Sequence, residues 1–136
     1  MNIILNNMTQ SETVAFINSR TSLNLMEHQY VFNPYDASDK NYILEIKNRR
    51  ASYKELFLEV NKTLVNLKLA KQMEKQYLYL QQDETGVYVF NVSKLDLSSL
   101  KRRFYNVPET TDFGNKERVD KEFWILPKSL SKKLEL

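Results

Sequence analysis

At 136 residues, 42% hydrophobic and 12% aromatic, the chain can bury one core and is too short for two ordinary domains. Its two glycines and three prolines argue against a collagen-like repeat, a flexible linker or a β fold full of tight turns, and the lack of cysteine excludes disulfides, thiolate metal sites and a cysteine nucleophile. The net charge of +3 is mild, but the cations cluster at Lys47, Arg49 and Arg50, at Lys101, Arg102 and Arg103, and at Lys128, Lys132 and Lys133, a pattern suited to a polyanionic partner.

In chain order, Thr9-Gln10-Ser11-Glu12 has the form of a capping box and opens a helix over 10–20, with Val14, Ala15, Phe16 and Ile17 as its apolar stripe. The aromatic and β-branched run 29–33 predicts a strand ending at Pro34, residues 37–40 read as a turn, and 42–48 as a second strand completing a hairpin. Leu56, Phe57, Val60, Leu64 and Leu67 recur at helical spacing and predict one long helix over 53–75. Residues 76–80 and 86–92 predict two strands joined by the turn Asp83-Glu84-Thr85-Gly86, and 95–100 a short helical turn. Strands over 103–107 and 122–126 flank a polar loop at 108–121, and 130–136 reads as a basic amphipathic tail in the form of a short helix. The order α-β-β-α-β-β is mixed α/β, a central sheet flanked by helices, and the strand-helix-strand crossover favours parallel pairing of the strands it joins. A single domain is expected, with its core at about 10–92 and a C-terminal extension at about 93–136. The chain has no run of 18 apolar residues and no basic leader before its short apolar start, so a soluble cytoplasmic protein without a membrane partner is expected.

Chemistry concentrates on the strand over 42–48. Residues two apart on a strand share a face, so Glu45 and Lys47 project together while Tyr42, Leu44 and Ile46 face the other way. A hairpin turn after Asp36 brings that carboxylate to about 5 Å from Glu45, close enough to share a metal ion. His28 is the only histidine, so such an ion is hard and oxygen-bound, Mg²⁺ or Mn²⁺. No nucleotide-binding loop or acyl-transfer motif is present, which leaves a nucleotide cofactor unsupported. His28 itself reads as a strand-entry residue.

Asp36, then Glu45-Ile46-Lys47 on a strand, then a long amphipathic helix, resembles the PD-(D/E)xK nuclease superfamily, with its restriction-endonuclease-like fold. The resemblance covers about residues 11–80. It implies a DNA endonuclease in which Asp36, Glu45 and the Ile46 carbonyl hold Mg²⁺ or Mn²⁺, and in which Lys47 either stabilises charge on the phosphate or deprotonates the attacking water. Asp39 is the weaker alternative to Asp36. Similarity to Holliday-junction resolvases implies a further catalytic acid at Glu12, which also has a sufficient role as a helix cap, and a homodimer. Glu59 and Lys62 resemble a helical Glu-x-x-Lys that faces the site in small family members, and they equally suit ordinary surface pairing. Arg49, Arg50, Lys62, Lys101, Arg102 and Arg103 are the expected DNA contacts. Trp124, Phe123 and the tyrosines are suited to base stacking but are expected mostly in the core. The composition, rich in Asn, Lys, Ile, Leu and Tyr, is associated with AT-rich genomes, such as those of phages or low-GC bacteria. The alternative is a nucleic-acid-binding or phage structural or accessory protein that keeps the fold without the activity.

Overall fold

Residues 42–48 form a strand because Tyr42, Ile43 and Ile46 are of types that suit a pleated surface, and here both of its faces are covered. The computed structural model describes residues 8–28, 34–49, 54–108 and 117–134. Its elements are α1 (Gln10–Arg20), β1 (Met26–Glu27), β2 (Ala37–Ser38), β3 (Tyr42–Asn48), β4 (Glu55–Glu59), α2 (Val60–Gln72), β5 (Gln76–Asp83), β6 (Gly86–Asn91), β7 (Arg102–Pro108), β8 (Arg118–Pro127) and β9 (Lys132–Leu134). Single 3₁₀ turns at Val92–Lys94, Leu97–Ser99 and Lys128–Leu130 join the later strands.

The main sheet has the order β1-β2-β3-β5-β6-β9, and a second sheet the order β4-β8-β7. Strands β3 and β5 are parallel, with Glu45 opposite Tyr79 and Lys47 opposite Gln81, as the crossover led one to expect. The other strand pairs are antiparallel. On one face of the main sheet, Leu44, Ile46, Leu78 and Leu80 pack with Val14, Phe16 and Ile17 of α1. On the other, Ile43, Tyr77, Tyr79 and Phe90 pack with α2 and with Leu56, Leu58, Trp124 and Leu126 of the second sheet. Helix α1 starts where the capping box places it: the Thr9 hydroxyl accepts the Glu12 N–H at 3.1 Å and the Glu12 carboxylate accepts the Thr9 N–H at 3.3 Å.

Mixed α/β architecture is therefore present, with differences from the sequence reading in four places. The run 53–75 is not one helix. Leu56 and Leu58 alternate inward with period two and pair with Leu126 and Trp124 of β8, so the segment before Val60 is strand, and Leu64, expected on the buried face, is 52% exposed. Local helical periodicity lost there to a cross-strand partner more than 60 residues away. Residues 37–38 of the supposed turn pair with Leu44 and Ile43 as β2, whose other neighbour is β1 at 26–27. The strand expected at 29–33 lies outside the described residues. Strand β8 begins at Arg118, inside the segment read as loop, and residues 132–134 of the supposed helical tail pair with β6 as β9. The region 93–136 is thus woven into both sheets. Among the described residues no helix is long and apolar enough to cross a membrane.

The second sheet is held to the first partly by an ion pair. Lys128, just after β8, donates to the fully buried carboxylate of Asp83 at the end of β5 at 2.9 Å, and its ammonium lies 4.3 Å from the Tyr88 ring centre. The Thr85 N–H and hydroxyl donate to the other carboxylate oxygen at 2.8 and 2.6 Å. Burial pushes the Asp83 pKa up, but the Thr85 hydrogen bonds and Lys128 outweigh it and hold the carboxyl below its ordinary value. A depressed folded pKa gives stability that is complete above the unfolded aspartate range, near 4, and is lost as pH falls through the folded value. Lys128→Met, which leaves this buried charge with one partner fewer, is expected to cost about 3 kcal/mol in urea unfolding at pH 7, and Asp83→Asn is expected to flatten the acid limb of the stability profile.

Candidate active site

Strand alternation puts Ile43 and Glu45 on the β3 face that is buried under α2 and the second sheet, so Glu45 is only 3% exposed rather than on an open face. Two ammonium groups meet its carboxylate. Lys62, in the first turn of α2, donates to Oε1 at 2.8 Å, and Lys47, two residues along the strand, stands 3.4 Å from the same oxygen. Oε2 is buried and has no hydrogen-bond partner among the described residues. Burial raises the Glu45 pKa, the Asp36 charge adds to this, and Lys62 and Lys47 offset part of it. Burial also works against the Lys62 ammonium, but the Glu45 charge and hydrogen bond prevail and hold it protonated.

Asp36 is fixed just before β2. Its N–H donates to Leu44 O and its carbonyl accepts from the His28 N–H, both at 2.8 Å, and its Oδ2 accepts the Ile46 N–H at 2.7 Å. The N–H and C=O of one extended residue leave a strand on the same edge, so the Ile46 carbonyl emerges from β3 on the Asp36 side. Asn66, a fully buried residue of α2, donates to Pro34 O at 3.0 Å and ties the helix that carries Lys62 to the segment that carries Asp36.

Glu45, Lys47 and Lys62 border a cleft of about 380 Å³. Glu45, Lys47, Tyr77 and Tyr79 of the main sheet, Arg49, and Lys62 and Thr63 of α2 line one side; Phe57, Glu59, Phe123, Tyr105 and Asn106 of the second sheet line the other. Burial pushes the Tyr77 and Tyr79 hydroxyls well above the ordinary phenol range, Glu45 adding to the shift of each, so both stay neutral. The Tyr79 hydroxyl donates to Phe57 O at 3.3 Å, a link between the two sheets at the cleft.

The structure therefore brings together Asp36, Glu45, Ile46, Lys47, Lys62 and Arg49. It does not gather Glu12 into them: Glu12 is exposed, completes the cap of α1, and α1 covers the opposite face of the sheet. Asp39 is engaged in its own turn, where Oδ1 accepts the Asn41 and Tyr42 N–H groups at 2.8 and 2.9 Å. Arg50 lies outside the described residues. Lys101, Arg102 and Arg103 do not line the cleft; Arg102 pairs with Glu122 at 3.0 Å and lies over Trp124, which is core. Sequence reasoning missed Tyr77, Tyr79 and Asn66. The tyrosines had a signal in Tyr-x-Tyr at strand spacing, whereas a buried asparagine on an amphipathic helix had none.

No known protein family, characterised protein or solved structure matches the chain. A divalent cation fits the residues present: two carboxylates of which one has a buried oxygen free of hydrogen bonds, and a backbone carbonyl on the same edge. Among the described residues no set of three or more His, Cys, Asp and Glu side chains assembles.

A raised acid pKa means that ionised Glu45 destabilises the fold above the glutamate range, and that this penalty fades as pH falls below its folded pKa. Glu45→Gln is therefore expected to raise the urea midpoint at pH 7, with the gain shrinking towards pH 4; an unchanged or lower midpoint at pH 7 contradicts the burial argument.

Proposed function

We propose that the protein is a Mg²⁺-dependent phosphodiesterase acting on DNA as an endonuclease. The observation that carries this reading is Glu45: a buried carboxylate with two ammonium groups on one oxygen and the other oxygen uncommitted, beside Asp36, in a cleft that also holds Arg49. A purely structural ion pair does not need two lysines on one oxygen at the edge of a cleft. The PD-(D/E)xK resemblance of Asp36, Glu45 and Lys47 supports the same chemistry.

Asp36 and Glu45, with the Ile46 carbonyl, would hold the ion. When bound, it neutralises phosphate charge and lowers the pKa of a coordinated water. Lys62, held protonated by Glu45, keeps that carboxylate oriented and places positive charge at the cleft wall. Lys47 is 33% exposed, on the cleft side of the same carboxylate, where its ammonium meets a phosphate oxygen and stabilises the charge that grows in the transition state. Arg49, exposed at the end of β3, takes an adjacent phosphate.

Two experiments follow. Plasmid and oligonucleotide DNA are expected to be cut in Mg²⁺ or Mn²⁺ and not in EDTA, and Lys47→Ala or Asp36→Ala is expected to lower the single-turnover rate by at least about 100-fold, the scale of losing one transition-state contact. Intact DNA at high concentrations of folded protein in both metals overturns the enzyme and leaves a nucleic-acid-binding protein. Glu12→Ala is expected to keep the cleavage rate while lowering stability by about 1 kcal/mol, the worth of a helix cap; loss of cleavage with unchanged stability returns Glu12 to the site.

A further inference from the structure

The cleft lining also holds an aromatic cluster. Phe57 of β4, Tyr105 of β7 and Phe123 of β8 form a mutual edge-to-face and tilted trio, with ring centres 5.1, 5.9 and 6.2 Å apart. All three lie on the face of the second sheet opposite Leu56, Leu58 and Trp124, so they are not part of the core. Phe57 is 42% exposed and contributes to the cleft lining with the other two rings.

The same cleft is lined by Lys47, Arg49 and Lys62, with Glu45 and Glu59 among them. Cations and rings in one cleft match the two halves of a nucleotide, an anionic phosphate and a flat base. A base within a duplex has both faces covered by its stacked neighbours, so only an unpaired or flipped-out base can offer a face to these rings. The cleft volume of about 380 Å³ suits a single ligand of that size, within the roughly 300–1,000 Å³ range of small-molecule pockets.

We infer that the cleft receives an unpaired nucleotide, its base stacked on the Phe57–Tyr105–Phe123 wall and its phosphate on Lys47 and Arg49, so that single-stranded or locally unpaired DNA is the substrate class. This rests on the proposed phosphodiesterase for the chemistry but not for the binding.

The test is fluorescence anisotropy of the full chain in EDTA, where no cleavage occurs, with a labelled single strand, the matched duplex, and the same single strand made abasic through its centre. The single strand is expected to bind about tenfold more tightly than the abasic strand, in line with one stacked base, and more tightly than the duplex at equal salt. Phe57→Leu is expected to remove that tenfold preference and leave abasic binding unchanged, and Phe57→Trp to retain it; thermal melting confirms that both variants fold. Equal affinity for normal and abasic strands, a preference for duplex, or an unaltered preference in Phe57→Leu overturns the inference. Cleavage in Mg²⁺ is scored separately. In the unsubstituted chain, no base preference with cleavage intact refutes the stacking wall alone, and base preference without cleavage refutes the enzyme alone.

Discussion

The structure turns on one carboxylate taken out of water. Glu45 sits on a strand whose two faces are both packed. Its charge is tolerated because Lys62 and Lys47 supply two opposite charges at 2.8 and 3.4 Å, and even so its pKa is raised. Each neighbouring element then has a reason. Helix α2 begins where its first turn can deliver Lys62, Asn66 anchors that helix to the chain beside Asp36, and the tyrosines of β5 close the space around the carboxylate with hydroxyls that stay neutral.

The second sheet completes this arrangement from the far end of the chain. Its inner residues, Leu56, Leu58, Trp124 and Leu126, finish the core above the tyrosines, and its other face supplies the aromatic wall of the cleft. Because β4 comes just before α2 while β7 and β8 come from the last third of the sequence, the cleft closes only when distant segments pair. The Asp83–Lys128 pair and the Tyr79 hydroxyl both cross between the sheets, so the separation of the two walls is set by polar contacts with directional geometry as well as by apolar packing.

What could be read in the sequence was whatever local chemistry dictates alone. The capping box set the start of α1, and the two-residue turn before Gly86 set the β5–β6 hairpin; Gly86 adopts φ +150°, a backbone region that side chains rarely enter. The pairing of Glu45 and Lys47 on one strand face likewise needed only period two. Long-range facts were hidden. Leu56 and Leu58 fit a helix as well as a strand until β8 is in place, and a charged side chain in a strand reads as exposed until something is known to cover it. Lys62 was visible as a possibility from its spacing to Glu59, but its partner is Glu45, 17 residues earlier, through a crossover that sequence periodicity does not describe. Glu12 shows the converse: a residue type that suits the chemistry, in the right order along the chain, fully accounted for by the cap it makes.

The charge balance of the cleft bears on how an anionic chain would be drawn in and positioned. Lys47, Arg49 and Lys62 line the cleft with Glu45 and Glu59, and Asp36 lies near Glu45, so three cations meet three carboxylates. A strongly positive cleft would hold a phosphate deeply and indiscriminately, and a negative one would repel it. Near neutrality, a divalent cation and a phosphate diester favour each other's entry, since the ion's excess charge is offset by the phosphate and the carboxylates together. On the proposed reading Lys47 would be the adjustable member of the group: at 3.4 Å from Glu45 and 33% exposed, its ammonium is held less closely than that of Lys62 at 2.8 Å, and it is the one that could turn to a phosphate oxygen.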